Sequence, residues 1–197
     1  MNSFGGKMPK FDVSKASILD EAKRLEWNNP AQIVANVEIA PGSRVAEIGC
    51  GTGWFTYEIE KVVRPRGMVY ALDTQKAMLQ ILETKRQNYE RILTLPCSEN
   101  EFDLDSGEVD VVFHANVLHE CSEPVKHLEE ANRVLKNGGR LIVIEWKMDA
   151  DESLPGPSPE SRLTAERTSN IMEKAGFSIS SMREVGPYHY AVFGFKK

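Results

Sequence analysis

The stretch RVAEIGCGTGWFT, residues 44–56, runs from an apolar segment into glycines at alternate positions, Gly49, Gly51 and Gly53, with Glu47 two residues before the first of them. A short apolar run that breaks into glycines reads as a buried strand, a tight loop and the start of a helix. Glycine lets the backbone turn sharply there and approach a ligand closely. Together these pieces open a nucleotide-binding α/β unit. The charge in front of the loop narrows the ligand. A pyrophosphate seated on a helix N-terminus requires neutral or positive surroundings, and Glu47 repels it. A carboxylate at this place suits a ligand carrying an ammonium group, held directly or through water.

Outward from this loop the chain alternates. Upstream, residues 12–27 carry apolar side chains at Val13, Ala16, Leu19, Ala22 and Leu25 with Asp12 as N-cap, which predicts a helix. Residues 29–39 predict a second, short helix capped by Asn29, with Pro30 at its first position. Downstream, strands are expected at 43–49, 67–73, 91–97, 108–116 and 140–146. Helices are expected at 53–63, at 74–88 with Thr74 as cap, and at 122–136 with Ser122 as cap and Asn137-Gly138-Gly139 as stop. Strands alternating with helices mean a parallel sheet covered on both faces. Residues 149–163 hold three prolines and read as a loop at the carboxyl edge of the sheet, where such folds bind ligands, so a substrate lid is expected. A helix at 164–176 ends on Gly176, and two β-rich runs around Gly186-Pro187 signal a hairpin that adds an antiparallel strand.

The 197 residues, 41% hydrophobic and 27% charged, suit one domain over 1–197. Its parts are a helical cover (1–40), a cofactor-binding core (41–147), a proline-rich loop (148–163) and a final helix and hairpin (164–197). Neither an apolar run of about 18 residues nor a secretory signal pattern occurs, so a cytoplasmic protein with no membrane partner is expected. Cys50, Cys97 and Cys121 are odd in number and lack CxxC spacing, which points to reduced thiols and no metal centre. A net charge of −5, with basic residues scattered among acids, argues against a nucleic-acid partner. The Lys23-Arg24 pair reads as a solvated helix face, and Trp27, Trp54 and Trp146, distant in sequence, read as core.

S-adenosylmethionine has the charge that Glu47 asks for. Its ammonium and sulfonium are cationic, and its carboxylate suits the backbone N–H groups at the start of the next helix. Asp73, ending the second strand, is placed to accept from ribose hydroxyls, and Ser98 or Glu99, after the third, to meet the adenine amino group. Cys50 and Thr74 belong to the same two loops. Met78 reads as core that can also pack on adenine, and Ala115 and Asn116 border the methionine part.

VAEIGCGTGWFT, VYALDTQKAML, VDVVFHANVLHE and EANRVLKNGGRLIVIEW resemble, in order and interval, the first, second, fourth and fifth-strand motifs of class I S-adenosylmethionine-dependent methyltransferases. The resemblance covers roughly residues 30–147 and is nearest to the small ubiquinone/menaquinone-biosynthesis-like members. It implies an α/β, Rossmann-like, doubly wound, seven-stranded, mostly parallel sheet with a C-terminal antiparallel hairpin strand. It also implies S-adenosylmethionine as cofactor and methyl transfer to a small-molecule acceptor by in-line displacement. Alignment does much of that work; for a hydroxyl or amine acceptor, His114, His119 and Glu120 are the candidate proton acceptors. Glu145 and Trp146 are placed for the acceptor pocket, with a weaker claim from Tyr188 and His189. Cys97-Ser98 stands where the family has Gly-Asp, and the cysteine set of arsenite methyltransferases is absent. Two rival readings stay open: an NAD-type oxidoreductase, disfavoured by Glu47, and a non-catalytic S-adenosylmethionine-binding sensor or scaffold.

Overall fold

The computed structural model describes residues 11–86 and 89–197. The strands are β1 (Arg44–Ile48), β2 (Met68–Asp73), β3 (Ile92–Pro96), β4 (Val109–Ala115), β5 (Leu135–Trp146), β6 (Phe177–Glu184) and β7 (His189–Lys196). They form one sheet in the order β3-β2-β1-β4-β5-β7-β6. β1 to β5 pair in parallel, whereas β7 runs antiparallel to both β5 and β6. The helices are α1 (Pro30–Asn36), α2 (Thr56–Val63), α3 (Lys76–Lys85), α4 (Pro124–Val134) and α5 (Ala165–Lys174). The expected doubly wound, seven-stranded, mostly parallel sheet with a closing antiparallel hairpin is the fold observed. Among the described residues no helix is long and apolar enough to cross a membrane.

Alternation along the strands builds two cores. Successive side chains point to opposite faces, so Val45, Val111, Phe113 and Ile142 join the cluster on one face while Ala46, Val112, Leu141 and Val143 join the other, with Leu128 of α4. The same parity decides two polar residues. Glu47 falls on the face of Val45, and His114 on the face of Val112, under α4. Order reverses between β1 and β4, and that switch point at the carboxyl edge is where an open α/β sheet leaves a crevice.

Local chemistry explains most element ends. Asn29 Oδ1 accepts the Gln32 amide at 3.2 Å and Pro30 opens α1, while Thr164 Oγ1 accepts the Arg167 amide at 3.1 Å to cap α5. Four expectations are corrected. Residues 12–27 form two 3₁₀ segments, Val13–Asp20 and Ala22–Glu26, instead of one α-helix. The apolar positions there recur strictly every third residue, which is the 3₁₀ period, and of that stripe only Ala16 is buried. Thr74 does not cap α3: the N-cap position is Gln75, with no side-chain cap, and Asp73 Oδ1 accepts the Gln75 amide at 2.8 Å just ahead of the helix. The expected end of that helix, residues 87–88, lies outside the described residues. Ser122 does not cap α4, because its amide and hydroxyl both donate to Glu99 Oε1, at 2.7 and 2.6 Å. Finally, α4 stops at Val134, before the glycine pair, and β5 begins at Leu135.

The proline-rich segment is irregular apart from a 3₁₀ turn at Pro159–Ser161. Arg162 ties it down. Its Nη1 donates to the Ala150 and Met148 carbonyls at 2.6 and 3.2 Å, and its Nε to that of Pro157 at 3.2 Å.

Candidate functional site

A cavity of about 680 Å³ opens at the carboxyl edge of β1, β2, β4 and β5, roofed by the N-terminal 3₁₀ segments and the proline-rich loop. Volumes of this order hold a drug-sized ligand.

The glycine loop forms one wall. Gly49 has φ +70 and Gly51 φ +53, the left-handed region that disfavours side chains. A Cβ at Gly49 would also meet Val117 Cγ2 at 2.4 Å. Gly53 behaves differently. It is not on the cavity wall, and a Cβ there would strike the Tyr57 ring at 2.9 Å, so packing behind the loop already requires a glycine.

Glu47 lies on the wall, 3% exposed, with Oε2 buried and without a hydrogen-bond partner. Burial pushes its pKa up to about 8, against the opposing Thr56 hydroxyl and with the Asp73 carboxylate adding to it. Asn116 faces the same space. It holds φ +59, rare for a side-chain-bearing residue, and its Oδ1 is likewise buried and unpartnered. Two polar oxygens without a hydrogen-bond partner therefore meet one cavity. Buried polar groups are normally satisfied, so the pair asks for a ligand that brings donors, above all a cationic one.

The remaining expected residues line the cavity too: Cys50, Asp73, Thr74, Met78, Ser98, Glu99 and Ala115. Asp73 ties the site together, since Oδ2 accepts the Gly51 amide at 2.9 Å while Oδ1 accepts that of Gln75 at 2.8 Å. A carboxylate has about four lone-pair sites, so acceptor capacity is left for a ligand hydroxyl.

The three candidate proton acceptors separate. His119 and Glu120 line the cavity; His114 does not. His114 is fully buried beneath α4, its Nε2 2.8 Å from Nε2 of His127. His127 Nδ1 pairs with the Glu99 carbonyl. That bond makes Nδ1 of His127 the protonated nitrogen, so His114 Nε2–H donates to His127. His114 is therefore a core residue, neutral because burial drives its pKa well down. Cys121 Sγ completes a trio of ligand-type atoms within 4.8 Å that spacing alone did not reveal.

His119 is held from behind. Its Nδ1 pairs with Glu145 Oε2 at 2.7 Å, and its amide donates to Glu145 Oε1 at 3.3 Å. Glu145 is itself 1% exposed and does not line the cavity. Burial opposes charge on His119, but the Glu145 carboxylate outweighs it and the pKa is raised. With the proton on Nδ1, the lone pair of neutral His119 is on Nε2, 4.0 Å from Glu120. Burial also raises the pKa of Glu120.

Of a second group of wall residues, the sequence placed only Trp146 at the acceptor pocket. Trp27, Trp54 and Trp146 all line the cavity, and so does Arg24, which is half-buried instead of a solvated helix face. Trp146 packs on Trp27 with ring centroids 5.2 Å apart, and His189 completes the cluster, 4.5 Å from Trp146 and 6.3 Å from Trp27. The signal was there. Arg24 and Trp27 are three apart, and in a 3₁₀ segment that spacing puts both on one face.

Sheet order and cavity position define a doubly wound α/β protein of the nucleotide-cofactor-binding class. Residues 46–143 match the family model described as a methyltransferase domain. A crystal structure of a SAM-dependent methyltransferase from Aquifex aeolicus is 33% identical, with a TM-score of 0.89, covering 95% of this chain and 100% of that one. The demethylmenaquinone methyltransferase of Staphylococcus carnosus (strain TM300) is 31% identical over 114 residues, 58% of this chain and 47% of that protein. The matched part is thus about half the length of such curated relatives. At the level of fold alone, the [4+2]-cyclase SpnF is also similar, with a TM-score of 0.72 at 18% identity, covering 84% of this chain and 79% of that one. The chain belongs to the S-adenosylmethionine-dependent methyltransferases, and S-adenosylmethionine is its cofactor.

Proposed function

We propose that this chain transfers a methyl group from S-adenosylmethionine to a small aromatic acceptor, with His119 taking up the acceptor's proton. The observation that carries the reading is the pair of buried, unpartnered acceptors, Glu47 Oε2 and Asn116 Oδ1, on the wall shared with the glycine loop. They fit an ammonium group and do not fit a pyrophosphate. Asp73 is the residue for the ribose hydroxyls and Ser98 or Glu99 for the adenine amino group, with Met78 packed alongside.

When bound, the cofactor supplies a methyl on a positively charged sulfur. The chain's own task is then to align an acceptor, exclude water and accept a proton. Trp27, Trp54 and Trp146 supply flat apolar walls for an aromatic ring. His119 Nε2 takes the proton from an acceptor hydroxyl, and Glu145 stabilises the imidazolium that results, as a buried carboxylate does for a histidine base. The name of the Staphylococcus carnosus relative supports a quinone-type ring as the acceptor class. A small-molecule partner instead of a nucleic acid, and a cytoplasmic setting for three free cysteines, complete the reading.

Titration calorimetry with S-adenosylhomocysteine and, separately, NADH tests it. Heat with the first ligand alone is expected; binding of NADH alone would return the chain to the oxidoreductase reading.

A further inference from the structure

Arg24 is a cation on the cavity wall that forms no direct ion pair among the described residues. Its guanidinium carbon sits 4.6 Å from the ring centroid of Trp54 and 5.8 Å from that of Trp27. Trp54 is itself fixed by donating its indole N–H to the Asn28 carbonyl at 2.9 Å. Nη1 of Arg24 donates to the Leu19 carbonyl at 2.7 Å, but Nε is buried with no partner. The nearest acid is engaged elsewhere. Asp20 accepts the Thr52 hydroxyl at 2.9 Å and pairs with Lys85, and residues 1–10 and 87–88 contain no Asp or Glu.

A guanidinium is hard to desolvate without an anion, and burial pulls the pKa of Arg24 down to about 10. Its direct contacts are indole faces and a carbonyl, and the Asp20 carboxylate offsets the burial only in part. The free nitrogen belongs to a planar fork that matches a carboxylate in two parallel hydrogen bonds, which an ammonium does not do. The aromatic faces on either side hold the fork in place.

We infer that Arg24, clamped between Trp27 and Trp54, is the receptor for a carboxylate on a ligand of this cavity. The inference rests on the methyltransferase reading of the site. Two ligands there have that chemistry: the cofactor, through its amino-acid carboxylate, and an acceptor ring bearing an acid group.

Three probes separate the sources in wild type, Arg24→Gln and Arg24→Lys. S-adenosylhomocysteine carries the amino-acid carboxylate, and 5′-methylthioadenosine has the same nucleoside without it. Benzoate, added to protein saturated with S-adenosylhomocysteine and followed by tryptophan fluorescence, stands for an acidic acceptor. Arg24→Gln is expected to weaken one carboxylate-bearing probe by about 10- to 100-fold, as loss of a charged hydrogen-bond partner does. Arg24→Lys should recover part of the loss, and 5′-methylthioadenosine should bind unchanged, which also shows that the variant is folded. Selective loss of S-adenosylhomocysteine binding assigns Arg24 to the cofactor; selective loss of benzoate binding assigns it to the acceptor. Unchanged affinity for both, or equal weakening of all three probes, overturns the inference while leaving the reading of the site intact. Wild-type protein that binds neither nucleoside would remove that reading, and the inference with it.

Discussion

The two halves of the cavity are built in opposite ways. The half at the ends of β1, β2 and β4 carries Glu47, Asp73 and Asn116, acceptors fixed by strand ends and a glycine loop. The facing half carries Arg24 and three tryptophans, a cation and aromatic faces brought together from the N-terminal 3₁₀ segments and the end of β5. One wall lacks donors and the other lacks an anion. The cavity is therefore polarised, and each wall selects for a different part of what enters. His119 lies between them, held by Glu145.

Removing the residue between the halves has the largest expected effect. His119→Ala should lower kcat at least about 100-fold, the usual worth of a positioned base, while S-adenosylhomocysteine still binds. A rate close to wild type would leave alignment as the whole of the catalysis and Glu145 as a structural partner.

Next comes the acidic wall. Glu47→Gln should weaken S-adenosylhomocysteine binding by about 1 to 3 kcal/mol. It should also stabilise the ligand-free protein. A carboxyl with an ordinary value of 4.5 and a folded value of about 8 withdraws stability as pH rises from the first to the second, since the unfolded chain ionises first. The variant's gain in thermal midpoint should accordingly be larger near pH ~9 than near pH ~5. A gain independent of pH would mean that Glu47 does not titrate.

A smaller change separates the base from its support. The raised pKa of His119 means that the rate should climb as pH passes through a value above 6.5, where the imidazole loses its proton. In Glu145→Gln, burial is left without its counterweight, so that limb should move to lower pH, with kcat down about 10-fold. A limb that stays in place would assign the titration to another group. The smallest effect is expected outside both halves. Thr164→Ala, which removes the α5 cap, should cost about 1 kcal/mol in a denaturant melt and leave both ligand affinities unchanged.

The same contrast explains what was legible in the sequence. Alternation of strands and helices fixes sheet parity, and the glycine loop with Glu47 is a local signal, so the residues that line this half of the cavity lie within a few positions of the expected strand ends. Ser122 and Thr74 misled because a cap residue offers a hydroxyl in more than one direction. Ser122 spends its own on Glu99, and α3 starts one residue later, behind Gln75, whose amide goes to Asp73. His114 was ambiguous because proximity to the fourth strand's end says nothing of which face it takes; parity sends it to His127. Trp27, Trp146 and His189 meet only through long-range folding, and no spacing announces a contact between residues so far apart. Arg24 was hidden by a helical assumption, whereas a strict three-residue period signals a 3₁₀ segment.

The central claim is that Glu47, largely protonated in the ligand-free protein, loses its proton to receive the cofactor's ammonium group. Calorimetric titration of S-adenosylhomocysteine at about pH 7, run in phosphate and in Tris, reads the protons exchanged directly from the difference in apparent enthalpy. Release approaching about one proton, abolished in Glu47→Gln, is the expected result; binding with no proton release, or with the same release in the variant, would contradict it.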